Sequence, residues 1–172
     1  EAAMGLSIAG KKDEAEKAFL WLSDSQLKDG SWYAEYLNSI PITKRKETNF
    51  SAYIGTGLWH YYLIFKDKNF IENMLPTLSK ALDFVLSMQT ENGDIYWAYE
   101  EGKQILDDSL ITGSSSIYKS LECTAAILNL FDKPVESIIV SMEKLKYSIN
   151  NNPERYDRSW ESKSRYSMDW YY

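Results

Sequence analysis

The sequence predicts an all-α protein built as an arc of stacked helix pairs. Three observations carry that reading. First, the stretch Lys80–Trp97, KALDFVLSMQTENGDIYW, recurs sixty-three residues earlier and without a gap as Lys17–Trp32, KAFLWLSDSQLKDGSW. Lys17 matches Lys80, Ala18 matches Ala81, Trp21 matches Phe84, Gln26 matches Gln89 and Gly30 matches Gly93. Second, each copy is an apolar stripe of helical period that runs into a Gln, a Gly turn and an aromatic residue. Third, the other apolar stripes have the same period and are separated by Gly, Pro and Asn punctuation.

The chain has 172 residues, enough for a single domain over 1–172 with a real core. The repeat divides it into helix pairs at about 12–66, 70–131 and a partial third at 134–172, which reads as a fragment of a longer chain. At 44% apolar residues the chain is expected to fold. Six Trp and thirteen Tyr suit either half-wet surfaces, such as a lined groove, or large core positions in small repeats. A net charge of −6 argues against nucleic acid, whose phosphates need a positive face. The short basic run Lys44-Arg45-Lys46 is followed at once by Glu47 and reads as a solvated loop. A single cysteine, Cys123, excludes an internal disulfide and fits a reducing, cytoplasmic setting. No secretory leader and no membrane span are expected.

Helix by helix, the first runs from about Asp13 to Gln26, with Asp13 and Glu16 spaced as a capping box, and Asp29-Gly30 stops it. The connector from Ser31 to Lys46 carries Trp32, Tyr33, Tyr36, Leu37 and Ile40, so it should pack down on the body. The second helix runs from Thr48 or Asn49 to about Phe65; Gly55 and Gly57 cost it helix propensity in exchange for close contact with a neighbouring helix. Lys66–Asn69 is a turn, and the third helix follows it, with Pro76 at its first turn or at a kink after a short lead-in, and ends at Asn92-Gly93. Ile95, Tyr96, Trp97 and Tyr99 then form a hairpin-like piece ahead of the charged turn Glu100–Lys103. A fourth helix spans Thr112 or Ser114 to Phe131 and holds Cys123 as a buried small hydrophobe. Pro134 opens a fifth helix, which reaches Ile149. The aromatic tail, with Trp160, Trp170, Tyr171 and Tyr172, is expected to pack on the body or to mark a cut in a longer chain.

One amphipathic helix pair cannot bury its stripe alone, so pairs must stack. Gln26 and Gln89 can donate and accept at once, which suits them to tie exposed backbone groups of one unit to the next, with Trp32 or Trp97 covering the joint. This pattern, Lys–small–x–x–aromatic–Leu/Val–x–x–x–Gln followed by Gly and Trp, resembles the QW motif of squalene-hopene cyclases and related terpene cyclases. The wider group includes protein prenyltransferase β subunits and other α/α-toroid proteins. The resemblance implies structural roles for Gln26, Gly30, Trp32, Gln89 and Gly93. The second copy departs from it, since Asp94-Ile95 follow Gly93 and Trp97 comes two positions late. TNFSAYIGTGLW and DDSLITGSSSIYKSLE also resemble bacterial prenyltransferase-like proteins of unestablished activity. The fold so implied is an α/α-toroid-like arc, an incomplete ring whose exposed apolar ends favour a homo-oligomer.

The function so implied is that of a terpene-cyclase- or prenyltransferase-like protein acting on an isoprenoid or other hydrophobic substrate. Asp107 and Asp108 are the catalytic candidates, because a carboxylic acid beside a second carboxylate can stay protonated and protonate an alkene. Against this, the first Asp of the cyclase DxDD motif is missing, and either residue could simply cap the fourth helix. His60 and Cys123 lack a third partner at ligand spacing, so no metal and no other cofactor is expected. Tyr53, Trp97, Ser114 and Ser115 are the candidate ligand contacts: polar residues recur at the same end of the second and fourth helices, and such a mixture suits a hydroxylated ligand. The alternative is a non-catalytic helical scaffold that binds a carbohydrate-like ligand or a protein.

Overall fold

A computed structural model describes residues 1–100, 105 and 107–158. Six helices carry it: α1 (Ala2–Ile8), α2 (Lys12–Ser25), α3 (Thr48–Phe65), α4 (Lys68–Ser87), α5 (Ile111–Asn129) and α6 (Glu136–Asn151). Four short strands sit in the connectors: β1 (Glu35–Leu37), β2 (Ile40–Thr43), β3 (Arg45–Glu47) and β4 (Ala98–Glu100). They make two separate two-stranded antiparallel pieces, β1 with β2 and β3 with β4, and neither closes on itself.

The helices stand in two rows. In the inner row α3 lies flank to flank with α5, and the two run the same way. Asn49 meets Gly113 near their first turns, and the Thr56 and Ser120 hydroxyls share a hydrogen bond of 3.0 Å further along. Small residues allow this approach: a methyl group at Gly55 would stand 2.2 Å from Thr124 Oγ1 and 2.8 Å from the Ser120 carbonyl oxygen. α1 packs beside α3 in the same row. α2, α4 and α6 back the row, and two apolar cores fill the space between, one around Phe19, Leu58, Tyr61 and Ile71 and one around Val85, Ile117, Leu121 and Leu145. The result is the expected arc of stacked helix pairs, an open and incomplete toroid.

The two copies of the repeat build the same joint. Gln26 Nε2 donates to the Gly30 carbonyl (3.0 Å) and to the Thr77 carbonyl of α4 (2.9 Å). Gln89 Nε2 donates to the Gly93 carbonyl (3.0 Å) and to the Ser141 carbonyl of α6 (2.9 Å). Each amide thus fastens its own turn and the next outer helix with one NH2 group. The glycines are required twice over. Gly30 and Gly93 have φ of +89° and +91°, and a Cβ on them would fall 1.9 Å from the Lys80 carbonyl oxygen and 2.3 Å from that of Lys144. At the first joint Trp32 is buried and its Nε1 donates to the Leu22 carbonyl (2.8 Å). At the second the matching position is Ile95, also buried, while Trp97 lies further on beneath Arg45, whose guanidinium carbon is 5.1 Å from the ring centre.

Several local expectations are corrected by tertiary contacts. Asp13 and Glu16 form no capping box: α2 has Lys11 at its N-cap with no side-chain cap, and Glu16 instead accepts from the buried Tyr61 hydroxyl. Burial first, and Glu16 second, push the Tyr61 phenol upward. Pro76 lies inside α4, which starts at Lys68 under the Asp67 cap (Phe70 N to Asp67 Oδ1, 3.0 Å). Neither Asp107 nor Asp108 caps α5; its N-cap is Leu110, and the Ile111 N–H points to Asp157 Oδ1 at 3.4 Å. Beyond the connector, the hairpin-like piece after Ile95 pairs with β3 fifty residues away, Glu47 opposite Ala98 and Arg45 opposite Glu100. The short turns join α1 to α2, α3 to α4 and α5 to α6, so a frame opening at residue 12 has the right period and splits each tight pair. The expectation for Trp160, Trp170, Tyr171 and Tyr172 lies outside the described residues.

Asp94 is the other buried feature of the second turn. It is fully buried and accepts from Thr90 Oγ1 (2.5 Å), Ser109 Oγ (2.8 Å) and Arg155 Nε (2.5 Å). Burial alone would raise its pKa, but Arg155, Thr90 and Ser109 together hold the carboxyl below the usual carboxylate range. Ser31 occupies the matching place at the first turn, so this ion pair belongs to the second joint alone.

Two outcomes follow from these contacts. Gln26→Ala and Gln89→Ala should each lose about 1–3 kcal/mol in urea unfolding, because each removes both hydrogen bonds that fasten the turn to the next outer helix; Gly30→Ala should lose more than either, by a strained φ and a backbone clash. For Asp94, the unfolded chain takes up its proton at a higher pH than the folded one. Its stabilisation is therefore fully present above about pH 4 and is lost as pH falls through the folded value. Asp94→Asn should cost about 3 kcal/mol at pH 7, the low end for a broken buried pair, since Arg155 keeps 24% of its side chain exposed. Urea midpoints of the two proteins should converge as pH is lowered from 5 to about 2.

Candidate functional site

Two places could receive a ligand. The first is a rim in front of α3 and α5. It is stitched by backbone bonds: Thr48 N donates to the Trp97 carbonyl (2.9 Å) and Trp97 N donates to the Asp108 carbonyl (3.0 Å). Thr48 Oγ1 adds a bond to the Tyr96 carbonyl (2.7 Å). Of the inner row, α3 and α5 present their N-terminal ends to this rim, and such ends favour anionic groups.

The side chains on the rim alternate in charge and carry ring faces. Glu47, 8% exposed, takes Arg45 Nε at 2.9 Å and Nη2 at 2.5 Å on one oxygen, with Arg45 spread over Trp97. Lys46 sits over the Tyr99 ring (5.3 Å) and donates to Asp29 Oδ2 (2.6 Å). Burial tends to raise the Asp29 pKa, but Lys46 and Ser31 outweigh it and hold the carboxyl low. Asp107 and Asp108 face different surroundings. Asp107 is open to solvent, its side chain 76% exposed and 3.1 Å from Arg158 Nη2. Asp108 is buried, and one oxygen accepts from the Ser109 N–H (2.8 Å) and the Arg158 N–H (3.1 Å). The two candidates thus divide between an open carboxylate and a loop-fixing one.

The second place is a cavity of about 470 Å³ bounded by the first turn of α1, the second half of α2, residues 32–36 and the first half of α3. Its wall is mostly apolar and aromatic, with Phe19, Trp21, Trp32, Tyr36, Phe50 and Tyr53 on it. Of the sequence-derived ligand candidates only Tyr53 lines this cavity; Trp97, Asp107, Asp108, Ser114 and Ser115 do not. Ser114 is buried and its hydroxyl has no partner among the described residues, while Ser115 Oγ donates to the Ile111 carbonyl of its own helix (2.9 Å). Cys123 is buried, as expected of a small hydrophobe. His60 is half-buried with Nδ1 lacking a partner among the described residues. Among the described residues no helix is long and apolar enough to cross a membrane.

Sequence reasoning passed over Glu47, Arg45 and Arg158. Glu47 was legible only as the charge ending a basic run; its place at the head of α3 and its closeness to Trp97 depend on the pairing of β3 with β4.

No protein-family model matches the chain. Among curated proteins, it is 37% identical over all 172 of its residues to a protein of Mycolicibacterium hassiacum named MMP endo-(1,4)-3-O-methyl-alpha-D-mannosidase. The chain spans 46% of that relative's length. The likeness overturns the terpene-cyclase and prenyltransferase expectation, and with it the isoprenoid substrate. The motif that prompted it, Gln with Gly and Trp, fastens helix pairs and says nothing of what they enclose. The carbohydrate-like ligand of the alternative agrees better with this relative.

Proposed function

We propose that residues 1–172 form one wall of an enzyme that cleaves α-(1→4)-linked mannose chains carrying 3-O-methyl groups. The observation that carries this reading is the 37% identity, running the whole length of the chain, to a protein named for that activity. The rim in front of α3 and α5 is the substrate face in this reading. Pyranose rings have one apolar and one hydroxylated aspect, and methyl ethers enlarge the apolar one, which suits the face of Trp97. Arg45, Glu47 and the loop around Asp108 supply the polar partners that fix orientation.

Glycoside cleavage needs two carboxylates on opposite sides of the scissile bond. Asp107, open to solvent, is the group proposed to meet the substrate, and Glu47, across Trp97, is the second carboxylate. Asp108 is a positioning residue, since its bonds to Ser109 and Arg158 set the loop that presents Asp107.

Calorimetry of the chain with a 3-O-methylated α-(1→4)-mannoside oligomer should show saturable binding, weakened about tenfold in Trp97→Ala. Where new reducing ends form, Asp107→Asn should slow their release by about 100-fold with little change in affinity. Absence of binding, or equal affinity for an α-(1→4)-glucan of the same length, would reject the reading.

A further inference from the structure

The loop Asp107–Leu110 carries the carboxylates of the rim, yet it belongs to no helix and no named strand. What holds it is the segment that follows α6. A turn of 3₁₀ helix (Pro153–Arg155) leads into Tyr156, which runs parallel beside Ser109. Asp157 N then donates to the Ser109 carbonyl (2.8 Å), and Arg158 N donates to Asp108 Oδ1 (3.1 Å). The Arg158 side chain closes over the same loop, with Nη2 2.6 Å from the Asp107 carbonyl oxygen and 3.1 Å from Asp107 Oδ1. Arg155 anchors this strap in the body: its Nε and Nη2 reach the two oxygens of Asp94 (2.5 and 3.3 Å). Asp94 sits in the turn that Gln89 fastens to α6, and its Oδ2 also accepts from Ser109 Oγ (2.8 Å). Joint, strap and loop therefore form a closed circuit of contacts.

The first joint ties the same place in the chain with less. Ser109 corresponds, sixty-three residues back, to Lys46, and each stands two positions ahead of an inner helix. Lys46 Nζ bonds Asp29 of the first turn near the surface, where the Asp29 side chain is 44% exposed. At the second joint the carboxylate is fully buried and takes a second partner, Arg155. Burying a charge pair adds little stability over an apolar filling, so stacking alone does not call for it. What differs between the joints is the cargo of the loop, Asp107 and Asp108 in place of Lys44 and Arg45. We infer that Arg155 is a positioning residue for this site: through Asp94 it sets the strap, and the strap sets where Asp107 is presented. Its effect runs through these contacts and not through touch with a substrate. The inference rests on the mannoside reading for what Asp107 does, while the placement is a property of the free protein.

The test uses Arg155→Lys, which keeps the charge beside Asp94 but loses the planar fork that reaches both oxygens. Amide hydrogen exchange should quicken at least about tenfold at Trp97, Asp157 and Arg158, whose N–H groups bond the loop, and by less than about twofold at Leu27 of the first joint. Unchanged exchange at the three loop-bonded amides, or an equal rise at Leu27, overturns the inference. Ser109→Ala cuts the direct link from loop to Asp94 and leaves the Arg155 pair whole, so it should quicken the same amides less than Arg155→Lys does; the reverse order overturns the inference too. In cleavage of a 3-O-methylated mannoside oligomer, Arg155→Lys should lower kcat at least about tenfold with KM within about twofold, and should add no loss to Asp107→Asn. A further loss in the Asp107→Asn background counts against the inference. A wild-type chain that neither binds nor cleaves the oligomer rejects the mannoside reading alone, and the exchange pattern then decides the role of Arg155 by itself.

Discussion

The structure depends on one amide group used twice at each joint. A Gln side chain at the end of an outer helix donates both its protons to backbone carbonyls, one in its own turn and one on the next outer helix. This works only because a glycine, where any Cβ would fall 1.9 or 2.3 Å from a neighbouring carbonyl oxygen, lets the turn lie flat against that helix. Separately neither device is strong. Together they bond each turn to the outer helix behind it, so that stacking, and not the single pair, becomes the stable unit.

That much was legible from residues alone, because it is local and repeated. Helical period, Gln, Gly and the sixty-three-residue offset fall within windows that a linear reading can inspect. Five of the six helices were placed within a few residues for the same reason. α1 was passed over because seven residues, AAMGLSI, are too few to show an amphipathic stripe, and the helix is held by packing against α2 and α3. The strands were missed because Arg45–Glu47 and Ala98–Glu100 find each other across fifty residues, and strands of three residues leave no alternation to read.

The candidate site was less legible. Its carboxylates are set by non-local groups: Arg158 reaches back to Asp107 and Asp108, Arg155 to Asp94, and Asp157 caps a helix begun forty-six residues earlier. Short-range rules assigned Asp107 or Asp108 to that cap because they lie nearest in sequence. Substrate class failed for a different reason. The Gln–Gly–Trp pattern is a rule for building walls, shared by proteins that enclose unlike substrates, and a likeness resting on it transfers architecture without chemistry.

The two joints differ in one replaceable detail. Trp32 seals the first, and Ile95 holds the same place at the second; Trp21 is likewise answered by Phe84. Indole emits strongly while isoleucine is dark and phenylalanine nearly so. Trp21 and Trp32 thus mark the first joint, while the second has Trp97 only on the rim beyond it. Emission from a chain in which Trp97 is replaced by Phe would weight the first joint, and its change on loosening would show whether that joint opens early or late.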